Sequence, residues 1–349
     1  MLQELLAEKK LVAHFNDYFD THKPKRKSSS NYNYALRLNG LVKSVGILNT
    51  DEFFDHERMI GIVQQKPATT RTNIYTTLMD WLDCDNPEKH KECIEIYRKY
   101  RDSSSKVYHQ QHKKSALTKN QSDNVITYNE LLSYYKEIKK LVKLNDYDNL
   151  SVKHMDDGQT NPAIDYLNLR LLLRLYILHP SRNEYATLKM ISVRDYNMIE
   201  HKMYNYLVFT DRRPCFLSIN DYKTYERYGQ KIIPIKDKEL LLWIRNHKNK
   251  FGYQEHMFYL QNGVPYTPLK MAQQLTKYSK KHINKAISST LMYKIIINEI
   301  SKKYNKALTD DDMENIHKYE KDLETFAKTR GHSLETQQSI YHNELDSHD

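Results

Sequence analysis

Residues 162–179, Pro-Ala-Ile-Asp-Tyr-Leu-Asn-Leu-Arg-Leu-Leu-Leu-Arg-Leu-Tyr-Ile-Leu-His, constrain this chain more than any other stretch: they make a strongly apolar run of helical length that Pro180 stops. A helix so apolar has to be covered by other elements, which makes it the centre of a core. It is not a membrane span, since nothing in the chain approaches ~18 uncharged apolar residues. The first six residues, Met-Leu-Gln-Glu-Leu-Leu, are followed by acids and lysines where a secretory leader needs an apolar run, so an intracellular protein is expected.

Beyond Pro180 the pattern changes. Three short runs, 206–209, 215–219 and 231–235, have β character, and the links between them hold Asp211-Arg212-Arg213-Pro214 and Tyr228-Gly229; a small three-stranded antiparallel sheet is the economical reading. Helical periodicity returns over 237–249, 267–281, 285–302 and 310–328, and a short final helix carries Tyr341.

Upstream, a helix is expected over 1–22, ended by the basic pentad Lys23-Pro24-Lys25-Arg26-Lys27, which reads as a solvated linker, an import signal or a phosphate contact. Further helical runs cover 30–47 and 74–82, the latter with threonines before it available as an N-cap, and a third runs from Asn86 through Arg101. Residues 127–142 are amphipathic. The pattern then collapses into Asn145-Asp146-Tyr147-Asp148-Asn149 and Asp156-Asp157-Gly158, where a linker is placed. The chain therefore reads as two domains, 1–150 and 151–349, of an α+β, mainly α protein; its 8 glycines and 9 prolines argue against long disordered stretches.

The net charge of +10 is shared by both halves and points to a polyanion such as nucleic acid. A longer basic stretch is 98–119, where Arg98, Lys99, Arg101, Lys106, Lys113 and Lys114 are interleaved with Tyr100 and Tyr108, a candidate for DNA-backbone contact. Three cysteines imply a reducing compartment, and Cys84, His90 and Cys93 make only half a zinc site, so no metal is expected. No Gly-rich phosphate loop is present, so neither ATP nor a dinucleotide cofactor is suggested.

The chemistry-bearing residues fall in three places. In His179-Pro180-Ser181-Arg182-Asn183-Glu184-Tyr185, an arginine fork suited to two phosphate oxygens sits beside a carboxylate able to hold it. In Asp221-Tyr222-Lys223-Thr224-Tyr225-Glu226-Arg227-Tyr228-Gly229, Lys223 stands at a hairpin tip, where a lysine of lowered pKa can protonate a leaving oxygen. In Arg330-Gly331-His332-Ser333, the histidine can donate to phosphate, and Tyr341 follows nine residues later as a candidate nucleophile among 28 tyrosines. Each segment alone is more often an ordinary surface pair, an exposed lysine or a helix start.

Taken in order, Arg-x-Glu after a Pro-ended helix, Lys-Thr-x-x-x-Tyr-Gly, and Gly-His-Ser with its later tyrosine resemble the tyrosine recombinases, or site-specific integrases. The wording is most similar to members from eukaryotic large DNA viruses, virophages and related mobile elements. The motifs span about 160–341. The resemblance implies a helical core-binding domain that closes on DNA over 1–150 and a catalytic domain over 151–349. It implies Arg182 as the first catalytic arginine, Glu184 as its support, Lys223 as general acid, His332 as a phosphate-binding group and Tyr341 as the nucleophile forming a 3′-phosphotyrosine. It further implies double-stranded DNA as partner, a homo-tetramer on two duplexes that is monomeric or dimeric when free, no membrane, and a place in the nucleus or viral replication site of a eukaryotic host. One departure stands out: where the family has a second arginine, Ser288-Ser289-Thr290-Leu291-Met292-Tyr293-Lys294-Ile295 puts Met292. Either Lys294 substitutes, or His282 or Lys285 reaches in, or the protein binds DNA without cutting it; a type IB topoisomerase is the alternative with the same chemistry.

Overall fold

Trp81 gathers the aromatic side chains of the first unit. In this computed structural model, which describes residues 2–26, 28–112, 117–149, 162–210, 215–251, 255–331, 333, 334 and 337, the chain divides into two compact units, 1–114 and 115–349. The first unit is helical: α1 (Leu2–Ala7), α2 (Leu11–His22), α3 (Ser28–Val45), α4 (His56–Val63), α5 (Ala68–Asp85) and α6 (Lys91–His112). Phe15, Phe19 and Phe53 meet the Trp81 ring edge-on at 5.4, 5.9 and 6.0 Å, and Tyr18 lies against it at 4.1 Å. The single helix expected over 1–22 is split at Lys9, whose left-handed backbone starts a new turn.

Two details of this unit depart from expectation. Pro67, not a threonine, precedes α5, and Thr72, Thr76 and Thr77 lie inside the helix, donating back to the carbonyls four residues earlier. Two side chains of the pentad are tied down, Lys23 to Asp83 at 2.6 Å and Arg26 to Asp80 at 3.0 Å, while Lys25 is exposed and Lys27 lies outside the described residues. On α6, Arg98 pairs with Glu95 and Arg101 with Asp102, while Lys99 and Lys106 are exposed; Lys113 and Lys114 lie outside the described residues. Exposed pairs of this kind are worth only ~0.2–1 kcal/mol, so they hold the two arginines weakly.

The second unit contains α7 (Lys119–Asn124), α8 (Tyr128–Leu144), α9 (Pro162–Leu178), β1 (Lys189–Ser192), α10 (Val193–Met198), β2 (Tyr206–Phe209), β3 (Phe216–Ile219), α11 (Tyr225–Tyr228), β4 (Lys231–Pro234), α12 (Lys238–Phe251), α13 (Pro268–Ile283), α14 (Ser289–Thr309) and α15 (Met313–Arg330). Its core closes round α9, which is buried on every side. Tyr134, Tyr135 and Ile138 of α8 belong to that same core, so the division falls at 114/115 and not in the polar stretch near 150. Among the described residues no helix is long and apolar enough to cross a membrane.

The sheet has four strands in the order β1-β2-β3-β4. The three expected strands pair antiparallel, Ile219 opposite Lys231, and a fourth, β1, runs parallel to β2 with Lys189 opposite Tyr206. Four residues with one buried side chain give β1 no period to read. The hub position of Trp81 sets an expected outcome: Trp81→Ala should lower stability by ~3–5 kcal/mol, read as a reduced midpoint in equilibrium urea unfolding.

Candidate active site

Pro180 ends α9 and begins a loop whose backbone is held from below by two core tyrosines. Tyr176 donates to the Arg182 carbonyl at 2.7 Å and Tyr185 donates to the His179 carbonyl. Burial raises both phenol pKa values, so both stay neutral donors. Ser181 donates to Glu184 at 2.7 Å, and Ser289, the first residue of α14, donates to Asn183 at 2.8 Å. The loop is thus pinned at each of four consecutive residues.

Arg182 projects from this pinned loop and is half-buried. Its Nη1 is shielded from solvent and has no hydrogen-bond partner among the described residues. A buried guanidinium nitrogen without an acceptor is costly, and an anion is the species that would satisfy it. Glu184, expected to hold Arg182, makes no ion pair with it; its carboxylate takes the Ser181 hydroxyl instead. Glu184 therefore shapes the loop and leaves the arginine open.

The segment between β3 and β4 faces this loop. It is not a simple hairpin tip but a turn containing α11, closed by Gly229 in the left-handed region. Lys223 is exposed there. Lys231, at the start of β4, points inward: its Nζ donates to the Thr329 carbonyl at 3.1 Å and lies 3.4 Å from the centre of the Tyr222 ring. Burial pushes the Lys231 ammonium down to about 8, with Glu184 pulling it back up and Arg182 adding to the fall. Those electrostatic couplings put Lys231, Arg182 and Glu184 in one cluster.

The end of α15 closes the cluster. Thr224 donates to the Gly331 carbonyl at 3.0 Å, and Gly331 adopts a φ of +73°. A Cβ at Gly331 would fall 2.4 Å from Thr224 Oγ1, so both the backbone and the contact demand glycine. Arg330, only 1% exposed, donates to the Ser181 carbonyl at 2.7 Å and to Thr290 Oγ1 at 3.1 Å, and its guanidinium lies 4.2 Å from the centre of the Tyr293 ring. Beyond it, Gln337 is buried between Tyr293 and the Leu323 carbonyl, at 2.5 and 3.1 Å. His332 and Tyr341 lie outside the described residues.

The cations considered for the missing second arginine are engaged elsewhere. Met292 is buried in the core. Lys294 reaches Gln121 at 3.2 Å and its pKa is lowered by burial. His282 sits between Glu137 and Tyr166, and Lys285 donates to the Asp123 carbonyl. The guanidinium at the first turn of α14 comes from Arg330. Sequence reasoning gave Arg330 and Lys231 no role: Arg330 stood one residue before the Gly-His-Ser turn, and Lys231 looked like an ordinary strand end.

No family model matches this chain, and no curated protein does. A search of solved structures returns a crystal structure of XerA recombinase, at 10% sequence identity and a TM-score of 0.37, covering 95% of this chain and 93% of that one. A likeness this slight fixes no chemistry for the chain.

Two outcomes follow from this geometry. Arg330→Met should cost ~2–4 kcal/mol in urea unfolding, because the Ser181 carbonyl and the Thr290 hydroxyl lose a charged donor. Lys231 should titrate near 8 when its Nζ is followed by NMR. The folded state holds that proton less tightly than the unfolded chain, whose lysines titrate near ~10.4. The associated stability is therefore present at high pH and lost as the pH falls toward 8, a slope that Lys231→Met should remove.

Proposed function

We propose that the chain binds duplex DNA and cuts and rejoins one strand at a time, as a site-specific recombinase or integrase does, with Tyr341 forming a 3′-phosphotyrosine. The observation that carries this reading is the open Nη1 of Arg182: a shielded guanidinium without an acceptor, on a loop pinned residue by residue, with a second cation, Lys231, beside it. Such a site suits a phosphodiester passing through a transition state with extra charge on its non-bridging oxygens. The Gly331–Thr224 contact anchors the residue just before His332 to the same site, which favours a role for the C-terminal segment in the reaction.

In this reading Arg182 grips the phosphate, His332 donates to it, and a lysine of the β3–β4 segment, Lys223 by its motif, protonates the leaving 5′ oxygen. Lys294 is left in reserve, since its partner is Gln121. The phosphotyrosine keeps the energy of the broken bond, so rejoining needs no nucleotide. Arg98, Lys99, Arg101 and Lys106 of α6, with Lys113 and Lys114, take the DNA backbone. A homo-tetramer on two duplexes and an origin in a virus or mobile element of a eukaryotic host belong to the same proposal. A second reading, a DNA-binding member of the fold without chemistry, is favoured by the place of Met292 in the core.

The test is denaturant-resistant protein–DNA adduct formation on nicked suicide duplexes drawn from a randomised pool. Wild type should form an adduct on a subset of sequences, Tyr341→Phe none, and Arg182→Ala should be slower by ~10²–10³-fold. A wild type that binds the pool but forms no adduct leaves the non-catalytic reading. An adduct that survives in Tyr341→Phe refutes the nucleophile. Relaxation of supercoiled DNA with no sequence requirement would make the chain a type IB topoisomerase.

A further inference from the structure

Of the two lysines in the β3–β4 segment, the motif singles out Lys223, and the geometry points to the other. We propose that Lys231 is the proton donor to the leaving 5′ oxygen, an inference that rests on the strand-transfer reading above.

A proton donor has to be held in place, has to lie beside the group that binds the reacting phosphate, and has to release its proton at working pH. Lys231 begins β4 and is paired with Ile219, so its backbone is fixed by the sheet. Its Nζ is fixed by the Thr329 carbonyl at 3.1 Å and by the face of Tyr222 at 3.4 Å. A Cβ built on Gly331 would come within 3.0 Å of that Nζ, so the ammonium lies against the turn that leads into His332. Its field reaches Arg182 and Glu184, and burial in that company brings its pKa to about 8. Lys223, by contrast, is exposed, and no hydrogen bond or ion pair to another described residue holds it.

The step balances without any co-reactant. The Tyr341 phenol oxygen bonds to phosphorus as its proton passes to water; the bond from phosphorus to the 5′ oxygen breaks, and that oxygen takes a proton from the Lys231 ammonium. On rejoining, the neutral amine takes the proton back from the attacking 5′ hydroxyl, and the tyrosine leaves as phenolate and is reprotonated by water. The competing explanation is structural: Lys231 would serve only to satisfy a carbonyl at the C-terminus of α15, where cations are favoured.

The two are separated by changing the leaving atom. On a duplex sequence selected by wild-type adduct formation, the scissile 5′ oxygen is replaced by sulfur, which departs as thiolate and needs no proton. Single-turnover adduct formation is then measured for Lys231→Met, Lys231→Arg and Lys223→Met. Lys231→Arg keeps a cation for the Thr329 carbonyl, but a guanidinium with pKa above ~12 gives up no proton. Its thermal melt, matching wild type, controls for folding.

Both Lys231 variants should be slower than wild type by ~10²–10⁴-fold on the oxygen substrate and return to within about tenfold of it on the sulfur substrate. Lys223→Met should show no such recovery. Equal slowing of the Lys231 variants on both substrates, or recovery by Lys223→Met instead, overturns the assignment while strand transfer stands. A wild type that forms no adduct on any duplex of the randomised pool overturns both.

Discussion

The buried guanidinium of Arg330 is the interaction on which the rest of the site depends. Removing an arginine side chain from water is expensive, and the expense is recovered only where good partners surround it. Here the Ser181 carbonyl, the Thr290 hydroxyl and the Tyr293 ring supply them, and they come from two different parts of the fold: the loop after α9 and the first turns of α14. Arg330 itself ends α15. One side chain therefore fixes the distance between the loop that presents Arg182, the helix that backs it and the residue that leads into the Gly-His-Ser turn.

That arrangement brings two further cations, Arg182 and Lys231, into one electrostatic cluster with the Glu184 carboxylate. Glu184 is committed to Ser181, so it tempers the field on Arg182 and Lys231 without neutralising either. The result is a cluster with positive charge in excess, in which a backbone carbonyl holds Lys231 in place of an ion pair and Arg182 Nη1 has no partner among the described residues. A surface ion pair would have traded specificity for little stability. A carbonyl-tethered cation keeps its charge available, and the Lys231 ammonium pays for its partial burial with a lowered proton affinity that suits proton transfer near neutral pH.

Much of this was legible in the sequence, and what was not has a physical cause. The apolar period of 162–179 and the stop at Pro180 locate α9 to within one residue, and the β runs at 206–209, 215–219 and 231–235 become β2, β3 and β4. β1 escaped because four residues carry no usable period. The boundary near 150 was misplaced because α8 looks like any amphipathic helix, and only its shared core with α9 assigns it to the second unit. Arg182 and Glu184 were singled out by their position after a buried helix, but the sequence suggested an ion pair where the fold makes a hydroxyl–carboxylate bond. Lys231 and Arg330 were not singled out, since their contacts reach across 98 and 149 residues of chain.

The methionine at 292 takes on a different meaning in this light. The resemblance read in the sequence would put an arginine at this position. The fold buries Met292 in the core, and the guanidinium that reaches the same end of α14 from α15 is itself buried against the Ser181 carbonyl and Thr290, so it braces the site without replacing a phosphate ligand. An arginine carried on α14 would be placed by that helix alone. An arginine at residue 330 is placed only when α15 has docked, when Gly331 has adopted its left-handed turn and when Thr224 has met the Gly331 carbonyl. Under the proposed reading, the organisation of the phosphate site and the delivery of the segment that carries His332 and Tyr341 become one event, so that the pocket is assembled by the same docking that brings the nucleophile's segment to it.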